Sequence, residues 1–135
     1  MPRGLGVVTL ATFALSACSS SGPAVHRSAV TLDWGDKGRT VSVARGAHVV
    51  VELHNTYWRF RGSSDPSVVR RTGRARYAPA SVGKCVPGEG CGTVSASFRA
   101  VGRGTAHLSA GRKTCGEARL CTGGQGRYEV TIRVR

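Results

Sequence analysis

The sequence predicts an all-β domain, built as an antiparallel β-sandwich, and three features of the 135-residue chain lead to this class. Apolar residues recur with a period of two in several short segments, which is the pattern of strands with one buried face. Glycine-rich turn signals separate these segments. Beyond the apolar N-terminus, no window of ten or more residues has the 3.6-residue period of a helix. Short strands joined by turns over about a hundred residues are typical of a β-sandwich.

The first half of the domain predicts three short strands, separated by turn signals at residues 35–38 and 45–46. Their alternating apolar residues are Val30 and Leu32, then Val41 and Val43, then Val49, Val51 and Leu53. These side chains are expected to share one core.

The second half has the clearest alternation, with turns predicted at residues 102–104 and 123–126. The apolar positions are Val94, Ala96, Phe98 and Ala100, then Ala106, Leu108 and Ala110, then Tyr128, Val130, Ile132 and Val134. Polar residues lie between them, so three half-buried antiparallel strands are predicted.

The middle of the chain, residues 55–92, is less regular. It contains Trp58 and Phe60, a turn at residues 64–67, a strand candidate over residues 67–77, and a Gly/Pro-rich loop at residues 78–92. Long loops in compact domains are often functional.

The N-terminus has the order of an export signal, with a basic Arg3 followed by an apolar stretch over residues 5–15. This stretch is shorter than the ~20 residues that span a bilayer. Leu15-Ser16-Ala17-Cys18 resembles the lipobox of bacterial lipoprotein precursors, which implies cleavage before Cys18 and a diacylglycerol thioether on its sulfur, often with a further acyl chain. The alternative is an ordinary secretory signal in which Cys18 is incidental.

If Cys18 is lipidated, the chain divides into a signal peptide at residues 1–17, a Ser/Gly/Pro-rich tether at residues 18–28 and a β-sandwich domain at residues 29–135. The lipobox predicts an extracytoplasmic protein held on the membrane by its lipid. The excess of arginine over lysine, with frequent Gly, Ala and Val, is typical of a high-GC genome such as that of an actinomycete.

Five cysteines are present, and lipidation of Cys18 would leave Cys85, Cys91, Cys115 and Cys121. An oxidising envelope favours disulfides among them. Three connectivities are open, and local pairing is favoured because Cys85 and Cys91, like Cys115 and Cys121, bracket a glycine-bearing loop. A four-cysteine zinc site is the competing interpretation, although structural zinc pairs are usually spaced more closely.

The net charge of +13 predicts contact with anionic lipids, wall polymers or acidic partners outside the membrane. A merely solvated basic surface is the alternative. Few aromatic residues and the lack of a recognition motif argue against nucleic acid.

No catalytic constellation is found in the sequence, so a non-enzymatic protein without cofactor or metal is predicted. Its seven carboxylates lie mostly in turns or loops, and the common hydrolase and nucleotide-binding motifs are missing. The histidines are scattered, and three of them have outward parity on their strands. These three are His48, His54 and His107.

The order of features also resembles the chagasin-like family of cysteine-peptidase inhibitors. The resemblance covers the layout of residues 30–135: the opening Val-x-Leu and Val-x-Val strands, His54-Asn55-Thr56-Tyr57-Trp58, Gly90-Cys91-Gly92, the return from Gly102 to Leu108, and the last strand from Tyr128 to Val134. It implies an immunoglobulin-like sandwich that inserts loops from one end into the cleft of a papain-type peptidase.

The resemblance implies a partner-binding edge with three loops, at residues 55–58, 88–92 and 112–119. Its candidate contact residues are Asn55, Thr56, Tyr57, Trp58, Gly90, Gly92, Arg112 and Arg119. The first loop lacks the family's Pro-Thr-Thr-Gly insertion, and Arg112-Lys113-Thr114-Cys115 replaces its Arg-Pro-Trp-like wedge. Trp58 could instead plug the end of the core. The alternative function is a structural envelope lipoprotein whose basic surface contacts anionic wall polymers or lipids.

Overall fold

The computed structural model describes residues 28–81 and 83–135, so the predicted lipobox at Cys18 and most of the tether lie outside the described residues. Strands and two 3-10 helices make up its regular structure. In chain order they are β1 (Ala29–Leu32), a 3-10 helix (Trp34–Asp36), β2 (Thr40–Val43), β3 (His48–His54), β4 (Arg59–Ser63), β5 (Val69–Arg71), β6 (Arg76–Pro79), β7 (Gly92–Ala100), β8 (Gly104–Gly111), a 3-10 helix (Gly123–Gly126) and β9 (Arg127–Val134).

The strands form two packed sheets, which confirms the predicted sandwich. The first sheet has the order β1-β3-β7-β5, with β6 also paired to β7, and the second has the order β2-β9-β8-β4. Most pairs are antiparallel, but β1 runs parallel to β3 and β2 runs parallel to β9. The chain passes from β1 into the other sheet before it returns as β3, so β1 and β3 are not joined by a hairpin.

The predicted alternation places its apolar residues in one core between the sheets. Phe98 and Ile132 are fully buried, and Leu53, Leu108 and Val130 are each about 1% exposed. Core residues extend from Leu32 to Val134, so the described part of the chain carries the hydrophobic core of an independent domain. Val30 and Val41 are only partly buried because β1 and β2 are edge strands.

The strand predicted over residues 67–77 is interrupted. Arg71 pairs with Phe98 and Arg76 pairs with Ser95, so four residues of this segment lie opposite two residues of β7. Gly73 in the interruption has a φ of +85°, which other residues rarely adopt. The extra residues divide the predicted strand into β5 and β6. In the described part of the chain, no helix is long and apolar enough to cross a membrane.

Candidate functional site

Both disulfides are local, as favoured from the sequence. Cys85 bonds to Cys91 and Cys115 bonds to Cys121. Because all four sulfurs are used in these bonds, the alternative of a four-cysteine zinc site is wrong. Glu89 lies beside the Cys85–Cys91 pair, but oxidised sulfurs are not the thiolates that bind zinc.

Three loops meet at one end of the sandwich. We call residues 55–58 loop 1, residues 80–91 loop 2 and residues 112–122 loop 3. Together with the adjoining ends of β3 and β7, they line a shallow cavity of about 760 Å³. Its lining includes Asn55 from loop 1, Gly90 from loop 2, and Arg112 and Arg119 from loop 3. The predicted edge with three loops is therefore present.

Backbone hydrogen bonds hold loop 1 against loop 2. The amide of Asn55 donates to the carbonyl of Gly92 at 2.7 Å, and the amide of Thr56 donates to the carbonyl of Gly90 at 2.7 Å. The Asn55 side-chain amide adds a bond to the carbonyl of Glu89 at 2.9 Å. Asn55 itself has a φ of +91°, which asparagine tolerates better than most residues.

Tyr57 also joins loop 1 to loop 2, and its ring packs directly against Gly90. Its hydroxyl donates to the carbonyl of Gly88 at 2.6 Å, which lays the ring across loop 2. A Cβ at Gly90 would lie 2.7 Å from two ring carbons of Tyr57, and Gly90 has a φ of +69°. Both the conformation and the close approach therefore require glycine at position 90.

Trp58 does not belong to the exposed rim that the resemblance implied. Its side chain is 1% exposed, and the indole N–H donates to the carbonyl of His54 at 3.0 Å. The next ring outward is that of Trp34, with ring centroids 5.7 Å apart. The expectation of direct partner contact by Trp58 is corrected, because the indole plugs the end of the core, as the alternative held.

Arg112 joins loop 3 to this plug. Its guanidinium lies over the Trp58 ring, 4.7 Å from the centroid, and its Nε donates to the carbonyl of Gln125 at 3.3 Å. Burial lowers the pKa of Arg112 from its usual value because the charged form is partly removed from water. Arginine keeps its charge under physiological conditions, so a fixed cation lies at the base of loop 3.

Loop 3 is a small hairpin closed by its disulfide. The amide of Cys115 donates to the carbonyl of Arg119 at 2.8 Å, and that of Cys121 donates to the carbonyl of Lys113 at 2.8 Å. These bonds direct Leu120 into solvent, where it is 70% exposed. Sequence reasoning missed Leu120, since a single apolar residue in a loop has no periodic partners that would draw attention to it.

Loop 3 lies close to loop 2, since a Cβ added at Gly88 would come within 3.9 Å of Cγ of Glu117. Val86 in loop 2 is 50% exposed, so loops 2 and 3 each present an aliphatic side chain to solvent. The edge is thus a braced surface with two apolar contacts and the exposed cation Arg119. His48 and His54 are exposed at the two ends of β3, and His107 is exposed on β8, as their outward parity predicted.

Comparison with known proteins gives similarity in fold and no similarity in sequence family. No protein-family model matches the sequence, and no curated protein sequence matches it. Among solved structures, the chain is similar to the solution structure of amebosin, with a TM-score of 0.54 and 15% identity over 84% of this chain and 100% of that one. It is also similar to the cysteine protease inhibitor EhICP2 from Entamoeba histolytica, with a TM-score of 0.54 and 10% identity over 79% and 95% of the two chains.

These likenesses concern the fold. The chain is an immunoglobulin-like β-sandwich with two disulfides.

Proposed function

We propose that this protein is a divergent chagasin-like inhibitor of papain-type cysteine peptidases, held outside the cytoplasm by a lipid on Cys18. The observation that carries the proposal is the joining of loops 1, 2 and 3 into one braced edge. The similarity to EhICP2 adds support from a protein that has this fold and inhibits a cysteine protease.

Inhibition would be steric. The braced edge enters the cleft and excludes substrate, and no bond is made or broken. Hydrogen bonds between loops 1 and 2 and the disulfides in loops 2 and 3 order these segments before binding. Ordering in advance lowers the entropy cost of association.

The short loop 1 moves the contact surface toward loops 2 and 3. Asn55, Thr56 and Tyr57 are only partly exposed, and Trp58 is buried. Val86 and Leu120 are the exposed aliphatic residues of the edge, and Arg119 is the exposed cation beside Leu120. We infer that Leu120 and Arg119 enter the cleft where the family uses its Arg-Pro-Trp-like wedge.

The test is inhibition of papain by the domain of residues 19–135 at physiological salt. Saturable inhibition is expected, and the double variant Arg119→Ala/Leu120→Ser should weaken it at least about tenfold, or about 1.4 kcal/mol. Arg103→Ala is the matched control, since Arg103 is equally an exposed arginine but lies in the turn between β7 and β8. Failure to inhibit at high micromolar concentration, or an equal effect of the control, would contradict the proposal.

One observation favours the alternative of a basic envelope lipoprotein. On the outer face of the first sheet, Arg99 lies directly opposite Arg70, and its guanidinium also donates to Nε2 of His48 at 2.9 Å. Like charges directly opposite one another are unfavourable without an anion to bind them. Under this alternative, Arg70→Gln/Arg99→Gln should weaken sedimentation with anionic vesicles and leave papain inhibition unchanged.

A further inference from the structure

A trough crosses the outer face of the second sheet, next to the loop end. Its floor is Gly111 of β8, which pairs with Arg59 of β4 on one side and with Arg127 of β9 on the other. Two strand spacings separate these arginines, or roughly 10 Å. Because Gly111 has no side chain, the guanidinium of Arg61 lies over it, with Nη2 only 3.4 Å from where a Cβ of residue 111 would be.

Cations line this trough. Its volume is about 800 Å³, and the charged residues among its lining are Arg59, Arg61, Arg112, Lys113 and Arg127, without a carboxylate. Within residues 28–81 and 83–135, the ion pairs are Arg39–Asp36 and His107–Glu129, neither of which uses a cation of the trough.

One carboxylate of β9 lies beside this charge and shares a smaller neighbouring cavity with Arg61 and Arg127. Glu129 lies two residues beyond Arg127 on β9, and its carboxylate is directed to His107 at 3.9 Å. A concave surface lined by charges of one sign concentrates its potential and attracts ligands of the opposite sign.

Apolar groups also line the trough. Tyr57 and Phe60 lie on one side, where Phe60 also packs against the core, and Leu120 contributes its exposed side chain on the other. A polyphosphate chain would satisfy the cations and leave these groups in contact with water. An acidic polypeptide that also carries an apolar side chain would cover both kinds of surface.

We propose that this trough binds an acidic polypeptide segment with an apolar side chain between its carboxylates. In a polyproline II segment, residues three apart lie on the same face and are separated by about 9 Å, close to the spacing of Arg59 and Arg127 across Gly111. The apolar side chain between the carboxylates would then rest on Leu120. This site adjoins the cavity among the three loops, with which it shares Arg112, and peptide binding here does not require that the loop edge inhibit a peptidase.

The experiment is fluorescence anisotropy of a labelled peptide in which glutamate recurs at every third residue with leucine between, titrated with the domain of residues 19–135 in 150 mM salt. Arg61→Gln/Lys113→Gln/Arg127→Gln should weaken binding at least tenfold. These three side chains make no hydrogen bond within the described residues. The matched control Arg70→Gln/Arg76→Gln/Arg99→Gln removes the same charge from the first sheet and should weaken binding less than threefold.

Two further measurements test the class of ligand. Replacing leucine by serine in the peptide, or Leu120→Ser in the protein, should weaken binding severalfold, and inorganic polyphosphate should compete poorly. The proposal is overturned by absence of saturable binding, by equal losses in the two triple variants, or by polyphosphate that binds as tightly as the peptide. Near-UV circular dichroism of each variant establishes that it is folded.

Discussion

Trp58 and Arg112 support the three loops from inside the domain and do not form its exposed contact surface. Residues of these types are common at binding hot spots, yet here the indole is buried and the guanidinium covers it. The ring fixes the end of the core, and the cation holds the base of loop 3 on that ring. Their effect on binding is therefore exerted through the position of neighbouring loops.

Replacement of Trp58 by alanine should be strongly destabilising. We expect Trp58→Ala to lower the free energy of unfolding by about 3–5 kcal/mol, because it leaves a cavity and removes the bond to His54. Trp34→Ala is the matched control, since Trp34 is 44% exposed, and it should cost no more than about 1–2 kcal/mol. Guanidinium unfolding measures both variants, and similar losses would contradict the burial of Trp58.

Tyr128 should make stability fall at alkaline pH. Its hydroxyl is buried without a hydrogen-bond partner in the described residues, and burial, followed by the charges of Asp36 and Asp33, raises its pKa well above the usual 10. The unfolded chain then releases this proton first as pH rises. Stability is therefore fully present below pH 10 and declines above it.

The matched variant for this effect is Tyr128→Phe, measured by thermal unfolding from pH 8 to 11. We expect an unchanged or higher melting temperature at pH 8, because the variant removes an unsatisfied buried hydroxyl. Above pH 10, the melting temperature of Tyr128→Phe should also fall less steeply with pH than that of the parent protein. An equal decline in both proteins would refute the assignment to Tyr128.

At the scale of elements, the sequence predicts the strands that have one buried face and long alternation. Strands β7, β8 and β9 follow the pattern closely because every second side chain enters the core. Strand β4 was not predicted, since its alternation is broken by a bulge between Phe60 and Gly62. The parallel partners of β1 and β2 depend on which sheet each strand joins, and a local pattern does not contain that information.

The candidate site was predictable in position but not in the direction of its side chains. Turn signals and cysteine pairs marked loops 2 and 3. Whether Trp58 faces solvent depends on hydrogen bonds and packing that form only when distant segments meet, such as the cover that Arg112 places on its ring. Leu120 is exposed for the same reason, because the loop 3 hairpin directs it outward.

Gly90 is the position where one added methyl group should loosen loops 1 and 2. Gly90→Ala places a Cβ against the Tyr57 ring at 2.7 Å and against Oδ1 of Asn55 at 2.8 Å. We expect Gly90→Ala to lower the free energy of unfolding by about 2–4 kcal/mol, because it combines strain at positive φ with overpacking. Hydrogen exchange of the Thr56 amide should also become faster.

Gly38→Ala is the control for the strain alone. Gly38 has a φ of +77°, and no heavy atom of the described residues lies within 4 Å of its added Cβ. The Gly38→Ala variant should lower the free energy of unfolding by only about 1–2 kcal/mol and leave the Thr56 amide protected from exchange. Equal costs in the two variants would contradict the close packing of Tyr57 on Gly90.

At the scale of the whole molecule, positive charge is divided between two faces. One set crosses the outer face of the first sheet, and the other lines the trough on the second sheet. The loop edge adjoins the trough through Arg112, Lys113 and Leu120. A partner at the loop edge would therefore lie beside the trough, while the first sheet remains free to face an anionic surface.

The proposed lipid anchor gives a prediction for the whole chain. In a bacterial host, Cys18→Ala should move the protein from the membrane fraction to the soluble fraction and remove the mass of a diacylglycerol group. Ser19→Ala is the neighbouring control and should leave the protein in the membrane. Unchanged membrane association of the Cys18 variant, measured by fractionation and mass spectrometry, would exclude the lipid on this residue.

The two disulfides lie in loops 2 and 3, whereas none of the buried residues that form the hydrophobic core is a cysteine. Reduction would therefore open two loops and leave the packed strands intact. The domain would remain folded in a reducing cytoplasm but would lack its ordered edge. Under the proposed export and peptidase inhibition, disulfide formation outside the cytoplasm would thus be the final step that makes the protein competent to bind, and a precursor inside the cell would be a poor inhibitor.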